Sequence, residues 1–434
     1  MRKRFELAAV TCGHFTNDLY AAFLTPLLPM LVARFDMSLA MAGLLSAVYA
    51  TTSSMVQPLV GHLADTSGSR AFIVLGPVVT AAAMCMIGLA GSQVLLVALL
   101  IMGGVGSGMF HPQGAAMAGS IDQTRKGFML SAFTTAGEIG YALGPLVLLS
   151  VVSTLGIRYT YVTALPGILV SLFIYRFAPR APASHPRTKA LGSRPRSRIK
   201  DLGRSGEGSA SLRRGGGTTD GALSGGDDGG VRSAGRDESV PARALAMLWV
   251  IAAVRLSVSM SFTTFLPIYL KEMGLPLVAY GSVASMFMFA GTVGIMAAGP
   301  VADRVGSFKL MATALLASIP LLLGFLHLKG PVSYALLAAG GIILYAPMPV
   351  ITMTAQNLAP ARAGTVSAFM MGVAWGAGSL GVAGVGVIAD ALGIRTALTL
   401  LLGVLVVAAA LTRALETQVS HQPSLSAAHE PTCR

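Results

Sequence analysis

Apolar runs long enough to cross a bilayer recur twelve times along this chain, and few folds accept such a sequence. A membrane-spanning helix needs about 20 mostly apolar residues. The runs fall roughly at 9–33, 40–64, 71–91, 94–119, 128–152 and 159–178, then at 244–270, 278–302, 308–327, 332–357, 364–389 and 396–415. Composition agrees: charged residues make up 11% of the 434, against about 25% in an ordinary globular domain, too few to cover a soluble surface of this size. The 51 glycines suit helices that pack closely in lipid. Met1-Arg2-Lys3-Arg4 has the basic flank of a signal peptide, but the following run meets His14, Asn17 and Asp18 and continues without a small-residue cleavage site. It reads as an uncleaved first helix. Cys12, Cys85 and Cys433 are too few and too scattered for a disulfide framework or a metal site.

The net charge of +13 is not a nucleic-acid signal once its source is located. Of 31 Lys and Arg, 13 lie between Ala178 and Ala244, with seven Asp and Glu, many Gly and Ser and no aromatic residue to stack on bases. Such a stretch cannot offset its own ordering entropy and reads as a disordered cytoplasmic loop. In the short loops, placing the N-terminus inside gives the cytoplasmic side Arg2, Lys3, Arg4, Arg70, Arg125, Lys126, Arg304, Lys309, Arg362 and Arg413. The outer side receives only Arg34, Arg158, Lys271, Lys329 and Arg395. Positive charge stays inside, so both termini and the loop face the cytoplasm. The expected organisation is an N-terminal six-helix bundle (1–178), the loop (179–243), a C-terminal six-helix bundle (244–415) and a cytoplasmic tail (416–434).

The halves repeat each other. Gly61-His62-Leu63-Ala64-Asp65-Thr66-Ser67-Gly68-Ser69 recurs as Gly299-Pro300-Val301-Ala302-Asp303-Arg304-Val305-Gly306-Ser307, and Leu155-Gly156-Ile157-Arg158 recurs as Leu392-Gly393-Ile394-Arg395. The offsets, 238 and 237, nearly agree. Six plus six helices in parallel repeats is how secondary transporters are built, with the binding site near the midplane. The expected fold is an all-α membrane protein of twelve transmembrane helices in two pseudo-symmetric halves.

Gly61, Leu63, Ala64, Asp65, Gly68 and Arg70 meet the pattern Gly-x-Leu-Ala-Asp-x-x-Gly-x-Arg between helices two and three, and here the chain resembles the major facilitator superfamily. His14-Phe15-Thr16-Asn17-Asp18, Gly106-Ser107-Gly108-Met109-Phe110-His111-Pro112 and Gly137-Glu138-Ile139-Gly140-Tyr141-Ala142-Leu143-Gly144-Pro145 narrow the resemblance to its fosmidomycin-resistance branch of drug exporters. Gly140-x-x-x-Gly144-Pro145 is also similar to the antiporter motif of helix five, although Val147 and Leu148 replace its usual glycine pair. Ile101 to Gly106 carry no drug-antiporter arginine. The resemblance implies a gating motif at Gly61, Asp65, Gly68 and Arg70, repeated at Gly299, Asp303 and Gly306.

A charge at the bilayer centre costs about 2.5–3.5 kcal/mol, so each needs a reason. Asp18, Glu138 and Arg255 each lie within roughly 5 Å of the midpoint of their helix. Asp18 shares a face with His14 and Asn17 and is one expected proton carrier; the rival reading is a carboxylate satisfied by Asn17 and backbone donors. Glu138, with Thr134 and Tyr141 on its face, is the other carrier, or else a carboxyl–hydroxyl pair that locks helix packing. Arg255 corresponds through the repeat to Asn17 and suits an anionic substrate, because its fork binds phosphonate or carboxylate bidentately. An ion pair from Arg255 to Asp18 or Glu138 is expected when the site is empty. His111 precedes Pro112 and corresponds to Met348 before Pro349, so the two prolines should bend both helices at one place. His111, Tyr141, Gln356 and Trp375 complete the expected cavity wall, each with ordinary packing as its alternative.

The leading expectation is a proton-coupled antiporter of the cell inner membrane that exports a small anionic drug by alternating access. The alternatives are a proton-symport importer of a small organic or phosphorylated anion, and a non-transporting receptor or scaffold, which could have lost the midplane charges. No nucleophile with an adjacent base, no metal-ligand spacing and no Gly-Lys-Ser/Thr phosphate loop occurs, so neither enzyme nor ATP-driven pump is expected. The expected partners are a small-molecule substrate, protons and lipid, with no nucleic acid, no cofactor, no metal and no second subunit.

Overall fold

The computed structural model of the chain describes residues 2–67, 70–178, 242–362, 366 and 369–420. Residues 179–241 of the expected loop and the tail from residue 421 lie outside them. Every described element is helical, as lipid demands: with no water to bond, each backbone N–H and C=O must find its partner inside the segment. Twelve helical spans result: Arg2–Phe35, Leu39–Leu63, Ala71–Leu89, Gln93–Ile121, Gly127–Leu155 and Ile157–Phe177, then Ala242–Glu272, Leu277–Val305, Ser307–His327, Pro331–Leu358, Ala374–Leu392 and Ile394–Ser420. They are numbered spans 1 to 12 below.

The repeated Leu-Gly-Ile-Arg has a physical cause. Gly156 and Gly393 end spans 5 and 11 at φ 92° and 83°, each donating its N–H four residues back, to Val152 and Ala389. A side chain at either position would be strained, so each half stops its fifth span with the same residue. Gly306, at φ 91°, ends span 8 in the same way.

Several spans are interrupted where the sequence suggested continuous helices. Span 1 breaks between Arg2–Ala21 and Leu24–Phe35, and span 12 breaks at Gly403. Span 10 breaks at Ala346, between Pro331–Tyr345 and Pro347–Leu358. The two prolines expected to bend their helices, Pro112 and Pro349, lie in different settings. Span 4 runs as one helix through Pro112, whereas span 10 restarts at Pro347, whose missing N–H costs nothing in a first turn.

Two glycines bring span 5 against span 1. A Cβ at Gly140 would overlap the Phe15 carbonyl, and one at Gly144 would lie 2.6 Å from the Leu19 carbonyl. This approach carries Gly137 and Glu138 to the level of His14 and Asp18. Between the halves, the fastenings gather on the face opposite the chain ends. A Cβ at Gly43 of span 2 would lie 2.7 Å from the Val382 carbonyl of span 11. Asp390 of span 11 accepts from the Leu39 and Ala40 amides at 2.7 and 2.9 Å, and Lys271 Nζ donates to the Pro29 carbonyl at 2.8 Å. Thr51 and Ser379 meet deeper, at 3.2 Å.

Candidate functional site

Three expected residues of span 1 converge with one of span 4. His14 Nε2 lies 3.1 Å from Asp18 Oδ2, one helical turn away, and His111 Nε2 lies 3.4 Å from Asp18 Oδ1. Asn17, fully buried, points its amide nitrogen at Asp18 Oδ1 (3.1 Å), Ser107 Oγ (3.3 Å) and His111 Nε2 (3.4 Å). Its carbonyl oxygen accepts from Thr80 of span 3 at 3.0 Å. The His14 ring stacks on Phe133 at 4.0 Å and is pressed against Gly137, where a side chain would collide with both the ring and Asp18.

The two ring nitrogens of His14 face different partners. Nδ1 faces the Phe133 carbonyl at 2.7 Å, which can only accept. A neutral imidazole has one N–H, and this contact uses it. The Nε2–Asp18 contact therefore needs a second proton, carried by either the ring or the carboxyl. Side-chain exposure is 9% for His14, 17% for Asp18 and 27% for His111, so the histidine of span 1 is the most enclosed of the three. The three groups bring ligand-type atoms within 4.8 Å of one another, a donor set that could hold a divalent cation. Their mutual hydrogen bonds already account for the approach.

Glu138 is half-buried and within electrostatic reach of Asp18, His14 and Arg255. No hydroxyl of the described residues bonds it, so the expected lock with Thr134 or Tyr141 does not form; Thr134 is exposed and Tyr141 half-buried. Arg255 corrects a second expectation. It is only 2% exposed, yet among the described residues no carboxylate oxygen lies within 4.0 Å, and its Nε and Nη1 have no hydrogen-bond partner. The Tyr345 ring, 5.9 Å from the guanidinium carbon, takes the place the ion pair was expected to fill. Arg255, Met348, Ile351, Thr352, Met370 and Trp375 line a cleft of about 20 Å³, room for a water rather than a drug. Trp375 thus joins Arg255, whereas Gln356 does not line the cleft.

Of the expected gating motif, Gly68 and the side chain of Asp65 lie outside the described residues. Arg70 Nη2 donates to the carbonyls of Ile174 (3.4 Å), Tyr175 (3.3 Å) and Ala178 (2.7 Å), closing the open end of span 6. Gly61 and Gly299 have nothing within 4 Å of an added Cβ, and Asp303 is exposed. Sequence reasoning missed Thr80, Tyr345, Asp390 and the Phe133 carbonyl. The last is backbone and carries no sequence signal; Asp390 has Ser153 as its repeat counterpart, so the repeat did not mark it either.

The sequence profile of the Major Facilitator Superfamily matches residues 10–382. The chain belongs to that family. It is a multi-pass membrane transporter, and neither its relatives nor its fold are those of enzymes. It is 25% identical over 397 residues to the fosmidomycin resistance protein of Escherichia coli (strain K12), covering 88% of this chain and 86% of that protein. It is 26% identical over 400 residues to an MFS-type transporter of Bacillus subtilis (strain 168), covering 88% and 85%. Among solved structures, a bacterial homolog of the human lysosomal transporter Spinster, in an inward-facing and occupied conformation, superposes with a TM-score of 0.75 at 14% identity, covering 96% of this chain and 97% of that one.

Proposed function

We propose that this transporter is a proton-coupled antiporter exporting a small, anionic, fosmidomycin-like compound by alternating access. One observation supports the reading: His14 Nε2 lies 3.1 Å from Asp18 Oδ2 while Nδ1 faces the Phe133 carbonyl, a geometry suited to passing one proton between ring and carboxyl, and in the C-terminal half a buried arginine leaves its Nε and Nη1 without a hydrogen-bond partner. Asp18 and Glu138 are the proton carriers. Arg255 holds the anion with Trp375 beside it, and Asn17, His14, His111 and Tyr141 complete the substrate site from the N-terminal half. A proton at Asp18 neutralises a carboxylate that would otherwise cross the closed interior charged, which eases the return of the empty carrier. Cargo comes from the relative named for fosmidomycin resistance. The membrane is the inner one, both termini and the 179–243 loop are cytoplasmic, and the working unit is a monomer of two six-helix bundles, 1–178 and 244–415. With that orientation the fastened face is the outer one, and the molecule is inward-facing, with Gly61, Asp65, Gly68 and Arg70 and their repeat at Gly299, Asp303 and Gly306 as the inner gate.

A second reading is favoured by the electrostatic reach of Glu138 to Arg255. A proton on Glu138 removes a competitor for the arginine and so strengthens anion binding. In that case proton and anion travel together, and the protein is an importer.

The test uses labelled fosmidomycin in everted vesicles. Asp18→Asn and Glu138→Gln should lose accumulation driven by a pH gradient while keeping exchange of labelled for unlabelled drug; Arg255→Ala should lose both. Gradient-driven accumulation in both acid variants would sink the proposed proton path.

A further inference from the structure

A buried arginine is normally met by a carboxylate, and Arg255 is met by an aromatic face. Its guanidinium lies 5.9 Å from the Tyr345 ring centroid, with Nε and Nη1 unpartnered and the side chain 98% enclosed (2% exposed). That ring is held on several sides. Phe287 meets it edge-on, with centroids 5.9 Å apart at 79°. Gly291 lies beneath it, where a Cβ would come 2.9 Å from ring carbons. The Tyr345 hydroxyl reaches Thr263 Oγ1 at 3.4 Å. Tyr345 is also the last residue before the break in span 10, so its backbone is free of the continuous helix that would otherwise follow.

The choice of partner has an electrostatic consequence. A carboxylate at hydrogen-bond distance would neutralise the guanidinium and repel an incoming anion. A π face attracts the cation through its quadrupole while contributing no net charge. We propose that Tyr345 is the positioning residue for Arg255: its ring carries the guanidinium and keeps it off Glu138, so the full positive charge is available to an anionic cargo. The inference rests on the anion-binding reading of Arg255 given above.

Two readouts test it, one with cargo and one without. In fosmidomycin transport, Tyr345→Leu should raise KM about tenfold with Vmax per folded protein nearly unchanged. Tyr345→Phe keeps the ring and should stay within about twofold of the parent protein. Gly291→Ala, which keeps the tyrosine and displaces its ring, should shift KM in the same direction as Tyr345→Leu. A merely structural role would lower Vmax or the yield of folded protein instead. Independently of any cargo, the melting-temperature shifts of Tyr345→Leu and Arg255→Met in detergent should fail to add in the double variant, as for residues in contact. Additive shifts, or a Tyr345→Phe variant as impaired as Tyr345→Leu, would overturn the proposal. If the parent protein carries no fosmidomycin, the cargo reading has failed and the thermal cycle alone decides whether Tyr345 holds Arg255.

Discussion

Asp390 is the sharpest place to perturb the balance between conformations. The helix of span 2 begins at Leu39, and its first amides have no partner within the helix. Ser38 caps the third, that of Met41, at 3.1 Å, while Asp390 of the opposite half takes the first two. A carboxylate there gains both from charge-assisted bonds and from the positive end of the helix. Asp390→Asn keeps the shape, loses the charge and turns one acceptor into a donor facing an N–H. Discounted for the exposure of this site, the loss is about 1 kcal/mol, or a roughly fivefold shift in population away from the state with this face fastened. Asp390→Ala removes the cap outright and should shift it by about 2 kcal/mol, roughly thirtyfold. Spin labels replacing Arg158 and Lys329, exposed on this face in opposite halves, read the change as a growing long-distance population in pulsed electron-electron resonance. Identical distance distributions in the parent, Asn and Ala proteins would refute the reasoning, because the amides would then be satisfied equally well without the carboxylate.

Two further predictions concern packing. Gly140→Ala forces a side chain onto the Phe15 backbone and should cost about 1–3 kcal/mol of stability, whereas Gly384→Ala, inside the helix of span 11, meets nothing within 4 Å and should gain about 0.5–1 kcal/mol of helix propensity; melting curves in detergent compare them, and equal shifts would contradict the close approach of spans 1 and 5. Arg70→Gln strips three carbonyls at the end of span 6 of their cationic donor and should cost about 1–2 kcal/mol; an unchanged melting temperature would mean that solvent serves those carbonyls as well.

The periodic features of the fold were legible because each has a direct physical cause in the sequence. Hydrocarbon thickness sets run length, so all twelve spans could be counted, and the glycines that stop spans 5 and 11 repeat because both need the same positive φ. His14, Asn17 and Asp18 could be grouped because helical spacing alone puts them on one face. What spacing could not supply was the partner across the bundle. Arg255 meets Tyr345 rather than a carboxylate, and that residue lies on another span, just before the break at Ala346. Asp390 was invisible for a related reason: an acid at the end of an apolar run looks like an ordinary loop charge until the opposite half places two amides against it.

The most direct measurement of coupling is the internal pH of acid-loaded everted vesicles when fosmidomycin is added outside. Antiport through this protein predicts that the interior turns alkaline as drug enters and protons leave, with no response from vesicles lacking the protein. An interior that becomes more acidic would mean that proton and anion move together, and a silent interior with labelled drug still crossing would mean that no proton is coupled at all; either result contradicts the exchange proposed here.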